Sequence, residues 1–240
     1  MGNVRKNNED NFYCNQNFRV DPNSKNEVFL SGKVSSKDNH LFAVYDGMGG
    51  ESCGEIASYI AAKNSYEFCK NQGEYEDYLY ELAHMLNDEI KQETRARSLA
   101  LMGTTAAMIQ FNKKEIYILN LGDSRIYKLT NSHMTQLSHD HTVEGYKGKS
   151  PLTNFLGVPR DDYPYSPYIA RGDYKENDIF LLCTDGITDM IDDSTLERMI
   201  SGMQNAQTPL INIAKTLITT AKDNGGYDNA TLILCRICYQ

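Results

Sequence analysis

The stretch Leu41–Gly50, with the sequence LFAVYDGMGG, constrains the fold of this chain more than any other segment. An uninterrupted apolar run, Leu41–Tyr45, leads directly into Asp46, and a glycine-rich turn follows. A short apolar run that is rich in β-forming residues and bounded by glycine predicts a buried strand. Asp46 is then expected at the end of this strand, at the edge of the core. Because a buried carboxylate is costly unless it is paired or bound to a metal, Asp46 requires a cation.

The composition limits the classes of protein that this sequence can represent. The chain has 240 residues and a formal net charge of −8, which argues against a protein that binds nucleic acid through a basic surface. No apolar run approaches the roughly 20 residues of a membrane helix, and the N-terminal residues do not form a signal-peptide pattern. We therefore expect a cytoplasmic protein that binds neither a membrane nor nucleic acid. We also expect a monomer. The absence of repeats and of a low-complexity linker predicts a single domain over residues 1–240.

Apolar periodicity predicts the elements of the N-terminal half. A hairpin is expected over Phe12–Phe18 and Glu27–Leu30, before the strand that ends at Asp46. A helix follows, starting at a capping box formed by Ser52 and Glu55. The next helix carries apolar residues along one face. These residues are Tyr75, Leu79, Leu82, Leu86 and Ile90.

The C-terminal half is predicted to contain short strands and then helices. The first strands are Thr104–Phe111, Glu115–Leu121, Arg125–Leu129 and Met134–Leu137. Their short connections indicate antiparallel neighbours. Residues 139–178 are expected to be irregular, and the strand Ile179–Cys183 follows them. Two helices come next, the first with the capping box Ser194/Glu197 and the second capped by Thr208. The last predicted element is the strand Ala230–Ile237. This order of elements predicts an α+β fold in which antiparallel sheets are covered by helices.

Acidic residues lie at the ends of five predicted strands. They are Asp46, Asp123, Asp185, Asp228 and the adjacent pair Glu9 and Asp10. An aspartate beside glycine is often only a turn residue, and that interpretation applies to any one of these positions taken alone. If the strands belong to facing sheets, however, their ends meet at one edge and form a common site. Carboxylate ligands favour hard cations such as Mg²⁺ or Mn²⁺, and no histidine or cysteine directly adjoins these aspartates to indicate zinc.

Several short motifs also occur one after another along the chain. They are Arg5-x-x-Asn8-Glu9-Asp10, Val44–Gly50, Gly54-Glu55, Met102–Thr105, Asn120–Arg125, Leu137–His141, Leu182–Gly186 and Asp228–Thr231. In this order the motifs resemble those of the metal-dependent protein phosphatases of the 2C type, and of their bacterial branch in particular. The resemblance implies an α-β-β-α four-layer sandwich, with two antiparallel sheets flanked by helix pairs. It also implies the hydrolysis of phosphoserine and phosphothreonine on proteins.

The resemblance implies a role for each residue that would hold the core metal ions. Asp46 would bridge two ions, Mn²⁺ or Mg²⁺, and the carbonyl of Gly47 would ligate one of them. Asp185 and Asp228 would hold the other ion. The implied reaction is an in-line attack on phosphorus by a water that bridges the two metals.

The resemblance implies further roles around these ions. Glu9 and Asp10 would order metal-bound water, and Asp123, with Asp185, would match the site of a third ion in bacterial relatives. Arg5 would clamp the phosphate and so join the catalytic residues Asp46, Asp185 and Asp228. An arginine engaged only in a salt bridge is the alternative interpretation of Arg5.

Three features depart from the family pattern. The family normally has a strand before the arginine motif, whereas only Met1–Val4 precede Arg5, so either the sheet is one strand short or the start is misassigned or trimmed. Met48 stands where eukaryotic relatives carry a histidine proposed as the general acid. The leaving serine oxygen would therefore take its proton from metal-bound water or from another group. The segment between His141 and Leu156 is short where bacterial relatives carry a longer helical flap, so we expect a shortened flap around residues 142–170. Because that region helps to select substrates in the family, the departure bears on specificity.

Three functions follow from these interpretations. The leading hypothesis is a signalling hydrolase, a Mn²⁺- or Mg²⁺-dependent serine/threonine protein phosphatase that reverses a cytosolic serine/threonine kinase. One alternative is a non-catalytic regulatory module of the same fold, and the intact Asp46, Asp185 and Asp228 argue against it. The other is a metallohydrolase that acts on a small phosphorylated metabolite. Assays of phosphopeptides with and without Mn²⁺, and of sugar phosphates, separate the three.

Overall fold

The computed structural model describes residues 2–35, 38–48, 53–70, 78–113, 115–146, 149–158 and 165–238. Its strands are β1 (Asp10–Cys14), β2 (His40–Met48), β3 (Gly103–Thr104), β4 (Ala106–Phe111), β5 (Glu115–Leu121), β6 (Arg125–Thr130), β7 (His133–Gln136), β8 (Tyr168–Asp173), β9 (Ile179–Cys183) and β10 (Leu232–Arg236). Its helices are α1 (Gly54–Lys70), α2 (Tyr78–Ala96), α3 (Asp185–Thr188), α4 (Asp193–Asn205) and α5 (Leu210–Asp223). Ser52, Gly49, Gly50, Tyr75 and part of the expected flap lie outside the described residues.

The strands form two antiparallel sheets that face each other. One sheet has the order β1-β2-β4-β5-β8, with β3 paired to β2, and the other has the order β10-β9-β6-β7. Phe42, Val44 and Ile109 of the first sheet share an apolar cluster with Phe180 and Leu182 of the second. The interior of the sandwich lies between the sheets.

Helices cover the outer face of each sheet. Leu41, Ala43 and Tyr45 of β2 pack in one cluster with buried residues of α1 and α2. Leu181 of β9 packs in another cluster with residues of α4 and α5. Alternate residues of β2 therefore face two different apolar clusters, which explains its continuous apolar sequence. The predicted α-β-β-α sandwich is confirmed, and Leu79, Leu82, Leu86 and Ile90 are buried as predicted.

The predicted N-terminal hairpin is wrong. β1 pairs with β2 instead of with Glu27–Leu30, which forms no strand. Val28, Phe29 and Leu30 are each more than 40% exposed, so little apolar burial supports a strand there. β2 also continues through Asp46 to Met48 and does not end before the aspartate.

The connection between β5 and β6 also differs from the prediction. It does not form a hairpin, because β5 pairs with β4 and β8, whereas β6 pairs with β7 and β9. The turn passes from one sheet to the other, with Gly122 at a positive φ of 91° that glycine adopts readily. The region 139–178, predicted to be irregular, contains β8, an edge strand with no buried residue. Its sequence therefore lacks the apolar signal of a core strand.

Two helix starts are also shifted. The side chain of Asp192, rather than Ser194, caps α4 by accepting a hydrogen bond from the backbone N–H of Thr195. Glu197 instead accepts a hydrogen bond from the backbone N–H of Met134 on β7. α5 is preceded by Pro209 at its N-cap, and Thr208 does not occupy that position. Among the described helices, none combines the length and the apolar character that a membrane span requires.

Candidate metal centre

Asp46 lies on β2, directly across from Asp10 on the neighbouring strand β1. The backbone N–H of Asp46 donates to Oγ1 of Thr105 at 3.0 Å, and its carbonyl accepts from Oγ1 of Thr104 at 2.9 Å. Oγ1 of Thr105 also contacts Oγ of Ser124 at 2.7 Å. These hydroxyl groups fix the backbone around Asp46 and link it to the turn that carries Asp123.

Gly47 lies at a close crossing of three chain segments. Its N–H donates to the carbonyl of Glu9 at 3.1 Å. A Cβ atom at this position would lie 2.0 Å from the carbonyl oxygen of Gly54 at the start of α1. Only glycine therefore allows the backbone of β2 to approach both Glu9 and α1 this closely.

Asp185 begins the short helix α3 directly after β9. Its neighbour Thr184 donates from Oγ1 to Oδ2 of Asp10 at 2.9 Å, which joins the two sheets. Thr184 Oγ1 also accepts from the backbone N–H of Thr231 at 3.0 Å. A Cβ atom at Gly186 would lie 1.8 Å from the carbonyl oxygen of Asn229, so the segment 228–231 is pressed against this turn.

Asp228 meets Arg5 at the same edge. A guanidinium nitrogen, Nη2 of Arg5, lies 2.7 Å from Oδ2 of Asp228. The structure therefore brings Arg5 to the site, but with its side chain on a carboxylate, as the salt-bridge interpretation states.

The carboxylates influence one another electrostatically. Burial and repulsion from Asp185 and Asp228 raise the pKa of Asp10 to about 7, although hydrogen bonds from threonines oppose the rise. Burial, and then repulsion from Asp10, Asp185, Asp228 and Asp123, raises the pKa of Asp46 well above its ordinary value. Burial and Asp185 raise the pKa of Asp123 to about 7. The structure thus brings the predicted aspartates together around one edge of the sandwich.

Glu9 lies at the margin of this group. Burial raises its pKa above the ordinary value, and the positive charge of Arg5 opposes this change. Met48, the last residue of β2, lies opposite Gly103 of β3. Its thioether carries no proton to donate to a leaving group.

A lysine that the sequence analysis did not single out also reaches the site. The ammonium group of Lys149 lies 2.6 Å from Oδ2 of Asp185 and 3.0 Å from Oδ2 of Asp228. Burial alone would raise the pKa of Asp228, but hydrogen bonds from Arg5 and Lys149 outweigh it and lower that pKa. No family motif includes Lys149, and a single lysine in a loop gives no signal that motif reading detects.

The donor set fits hard divalent cations. Oδ1 of Asp10 and Oδ1 of Asp185 are buried and accept no hydrogen bond from the described protein. Buried acceptor oxygens without donors, on carboxylates that repel one another, are what Mg²⁺ or Mn²⁺ satisfies. Within the described ranges no three acidic, histidine or cysteine side chains already enclose one metal position, and Asp185 and Asp228 share Lys149 instead.

Comparison with known proteins agrees with this geometry. The serine/threonine phosphatase stp of Listeria monocytogenes serotype 4b (strain F2365) is 28% identical over 226 residues, which cover 85% of this chain and 87% of that protein. The crystal structure of the Mycobacterium tuberculosis serine/threonine phosphatase PstP/Ppp matches with a TM-score of 0.78 at 25% identity, over 99% of this chain and 95% of that chain.

A second solved structure holds metal. The catalytic domain of the serine threonine protein phosphatase PstP, in complex with 2 manganese ions, matches with a TM-score of 0.74 at 26% identity, over 97% of this chain and 93% of that chain. Residues 29–220 also match the sequence model of the family described as Protein phosphatase 2C. Most of the chain is thus covered by that match, and the chain belongs to the protein phosphatase 2C family.

Proposed function

We propose that this chain is a metal-dependent phosphatase that hydrolyses phosphoserine and phosphothreonine in proteins. The observation that carries the proposal is the meeting of Asp10 and Asp46 from one sheet with Asp185 and Asp228 from the ends of the other. The relatives stp and PstP are serine/threonine phosphatases, and PstP has been solved with manganese. Membership of the protein phosphatase 2C family supports the same activity.

The metal ligands are part of the proposal. Asp46 and the carbonyl of Gly47 would hold one ion, and Asp46 would share a second ion with Asp185 and Asp228. A pair of divalent ions in such a site supplies Lewis-acid polarisation of the phosphoryl group and activation of water for in-line displacement at phosphorus. Besides burial, the charge of Asp185 raises the pKa of Asp123, so the two carboxylates lie close enough to interact. This proximity supports a third ion between them.

Further residues around the site would position water and substrate. Glu9 and Asp10 would order water around the ions, since both lie within the group of interacting carboxylates. Arg5 would bind the phosphate. Its contact with Asp228 uses one terminal nitrogen, and its side chain is 45% exposed. A guanidinium group carries five N–H donors in a planar fork that suits phosphate, so Asp228 orients Arg5 without saturating it.

The sequence also carries expectations about the domain, its flap, its substrates and its location. We propose that residues 1–240 form one catalytic domain with a shortened flap around residues 142–170. The described part of that flap is joined by a bridge between Thr142 and Leu152 and contains no helix. The substrates would be phosphoproteins made by a cytosolic serine/threonine kinase, and the enzyme would act as a cytoplasmic monomer.

The test is hydrolysis of phosphoserine and phosphothreonine peptides by the metal-stripped protein with and without added Mn²⁺. We expect turnover only with metal, and faster turnover of phosphopeptides than of sugar phosphates. A preference for sugar phosphates would replace the proposal with a metabolite hydrolase. Mn²⁺ binding without hydrolysis of any phosphate ester would indicate a regulatory module.

A further inference from the structure

Lys149 contributes a positive charge inside the carboxylate site. It follows the loop that begins at Thr142, and its neighbour Ser150 anchors that loop. Oγ of Ser150 accepts from the backbone N–H of Val143 and donates to the carbonyl of Val143, at 3.0 Å in both cases. These contacts hold the backbone beside Lys149 within reach of Asp185 and Asp228.

The contact is asymmetric in exposure. The side chain of Lys149 is 55% exposed, whereas those of Asp185 and Asp228 are 6% and 15% exposed. The lysine stem therefore lies largely in solvent while its ammonium group reaches inward onto two carboxylates. Such a group can leave the site by side-chain rotation alone, because few packing contacts hold the stem.

The charges of the site explain why an internal cation is needed. Asp46 lies opposite Asp10, and Thr184, the residue before Asp185, donates a hydrogen bond to Asp10, so several carboxylates meet at this edge. Arg5 contacts Asp228 on the same oxygen that accepts from Lys149. Lys149 is therefore the cation that Asp185 contacts in the described structure.

A divalent ion and the ammonium group compete for the same two carboxylates. At 2.6 Å and 3.0 Å, Lys149 occupies the space into which Oδ2 of Asp185 and Oδ2 of Asp228 point. A metal ion there would repel the ammonium group at short range, and the repulsion is strong where water is largely excluded. The ammonium group therefore opposes metal binding to Asp185 and Asp228 while it lies on these two oxygens.

We propose that Lys149 is a placeholder cation, which neutralises Asp185 and Asp228 in the metal-free protein and must withdraw before metal binds. Lys149 thus sets the metal affinity of the site. The inference rests on the proposed function, because it takes Asp185 and Asp228 to be metal ligands. An ordinary surface salt bridge is the opposing interpretation, and such pairs contribute about 0–1 kcal/mol.

The experiment measures Mn²⁺ binding directly by isothermal titration calorimetry on metal-stripped protein that comprises residues 1–240. Lys149→Met removes the charge and retains the apolar stem, and Lys149→Arg retains the charge. Lys63→Met, at an exposed position in α1, makes the same change in net charge away from the site. The melting temperature of each protein, with and without Mn²⁺, gives a second readout that does not depend on activity.

We expect Lys149→Met to bind Mn²⁺ about tenfold more tightly than the wild type. In the wild type only molecules in which Lys149 has left Asp185 and Asp228 can bind metal, whereas in the variant all molecules can. The same variant should melt at a lower temperature than the wild type without metal, and gain more stability from Mn²⁺. Lys149→Arg and Lys63→Met should bind Mn²⁺ with the wild-type affinity, within about twofold.

Two results would overturn the inference while leaving the proposed function intact. One is a Kd of Lys149→Met within about twofold of the wild-type value. The other is equal tightening in Lys63→Met, which would assign the effect to net charge alone. If neither the wild type nor any variant binds Mn²⁺, the proposed metal site itself fails, and the inference fails with it.

Discussion

The backbone N–H of Glu9 donates a hydrogen bond of 2.8 Å to Oδ1 of Asn229. The same asparagine donates from Nδ2 to the carbonyl of Asn7 at 3.0 Å, and it is only 2% exposed. One buried side chain thus attaches the segment before β1 to the segment before β10. This attachment places Arg5 beside Asp228, so residues from the N-terminal and the C-terminal segments meet at the site.

Asn229→Ala should therefore disturb both stability and substrate binding. The change leaves two backbone groups without their partner, and a lost buried hydrogen bond costs about 1–3 kcal/mol. We expect a lower free energy of unfolding in urea, and a higher KM for phosphopeptides because Arg5 is no longer held in place.

Asn224→Ala is the matched control for this variant. Asn224 is exposed and donates one hydrogen bond to the carbonyl of Met190. Surface substitutions of this kind change stability by about 0.5 kcal/mol or less. Equal losses in the two variants would show that Asn229 has no special part in joining the segments.

Arg5→Ala should mainly raise KM for phosphopeptides. The guanidinium group carries the planar donors that match a phosphate dianion, and lysine replaces only its charge. Arg5→Lys is thus expected to fall between the wild type and Arg5→Ala in steady-state kinetics. Arg97→Ala, which removes an exposed arginine paired with Glu93, should leave KM unchanged. An unaltered KM in Arg5→Ala would favour the salt-bridge interpretation.

Gly47→Ala should destabilise the fold. The new Cβ atom would lie 2.0 Å from the carbonyl oxygen of Gly54, so β2 and α1 must move apart. Overpacking of this kind costs about 1–3 kcal/mol or more, measured as the free energy of unfolding in urea. Gly32→Ala is the control, because a Cβ atom there meets nothing within 4 Å. The account of the close crossing would be refuted by equal stability of the two variants.

Much of the fold follows from apolar patterns in the sequence. The strands Glu115–Leu121 and Ile179–Cys183 have the predicted bounds because most of their residues are apolar and buried, and a glycine or polar residue follows each of them. The helical face that contains Leu82 and Leu86 is likewise buried as its spacing predicts. Burial on both faces of a strand leaves a continuous apolar run, and burial of one face of a helix leaves a periodic pattern; a single sequence carries both signals.

Features that depend on a choice between alternative tertiary contacts leave no such pattern in the sequence. The turn Gly122–Ser124 is as short as a hairpin turn, yet packing sends β5 and β6 to different sheets. Asp192 and Ser194 are both good caps, and Glu197 is used by β7 instead of by a capping box. The acidic residues of the site were predictable from their strand ends and motifs, whereas Lys149 was not.

Asp46→Asn should abolish phosphatase activity and leave the fold intact. Asn has nearly the shape of Asp but supplies one neutral oxygen, so it cannot serve as the charged ligand that we propose two cations share at this position. We expect kcat to fall by roughly a thousandfold or more, in line with the loss of groups that act as a unit. The metal-free variant should melt no lower than the wild type, because burial and four neighbouring carboxylates disfavour the charge of Asp46.

Thermal melting with Mn²⁺ links this loss of activity to the metal. A ligand that binds only the folded protein stabilises it by about 2.7 kcal/mol at one hundred times its Kd. Mn²⁺ should therefore raise the melting temperature of the wild type, and chelation should reverse the rise. The rise should be reduced in Asp46→Asn and retained in Asp223→Asn, which changes an exposed aspartate at the end of α5. Unchanged turnover in Asp46→Asn, or an undiminished response to Mn²⁺, would remove Asp46 from the metal centre.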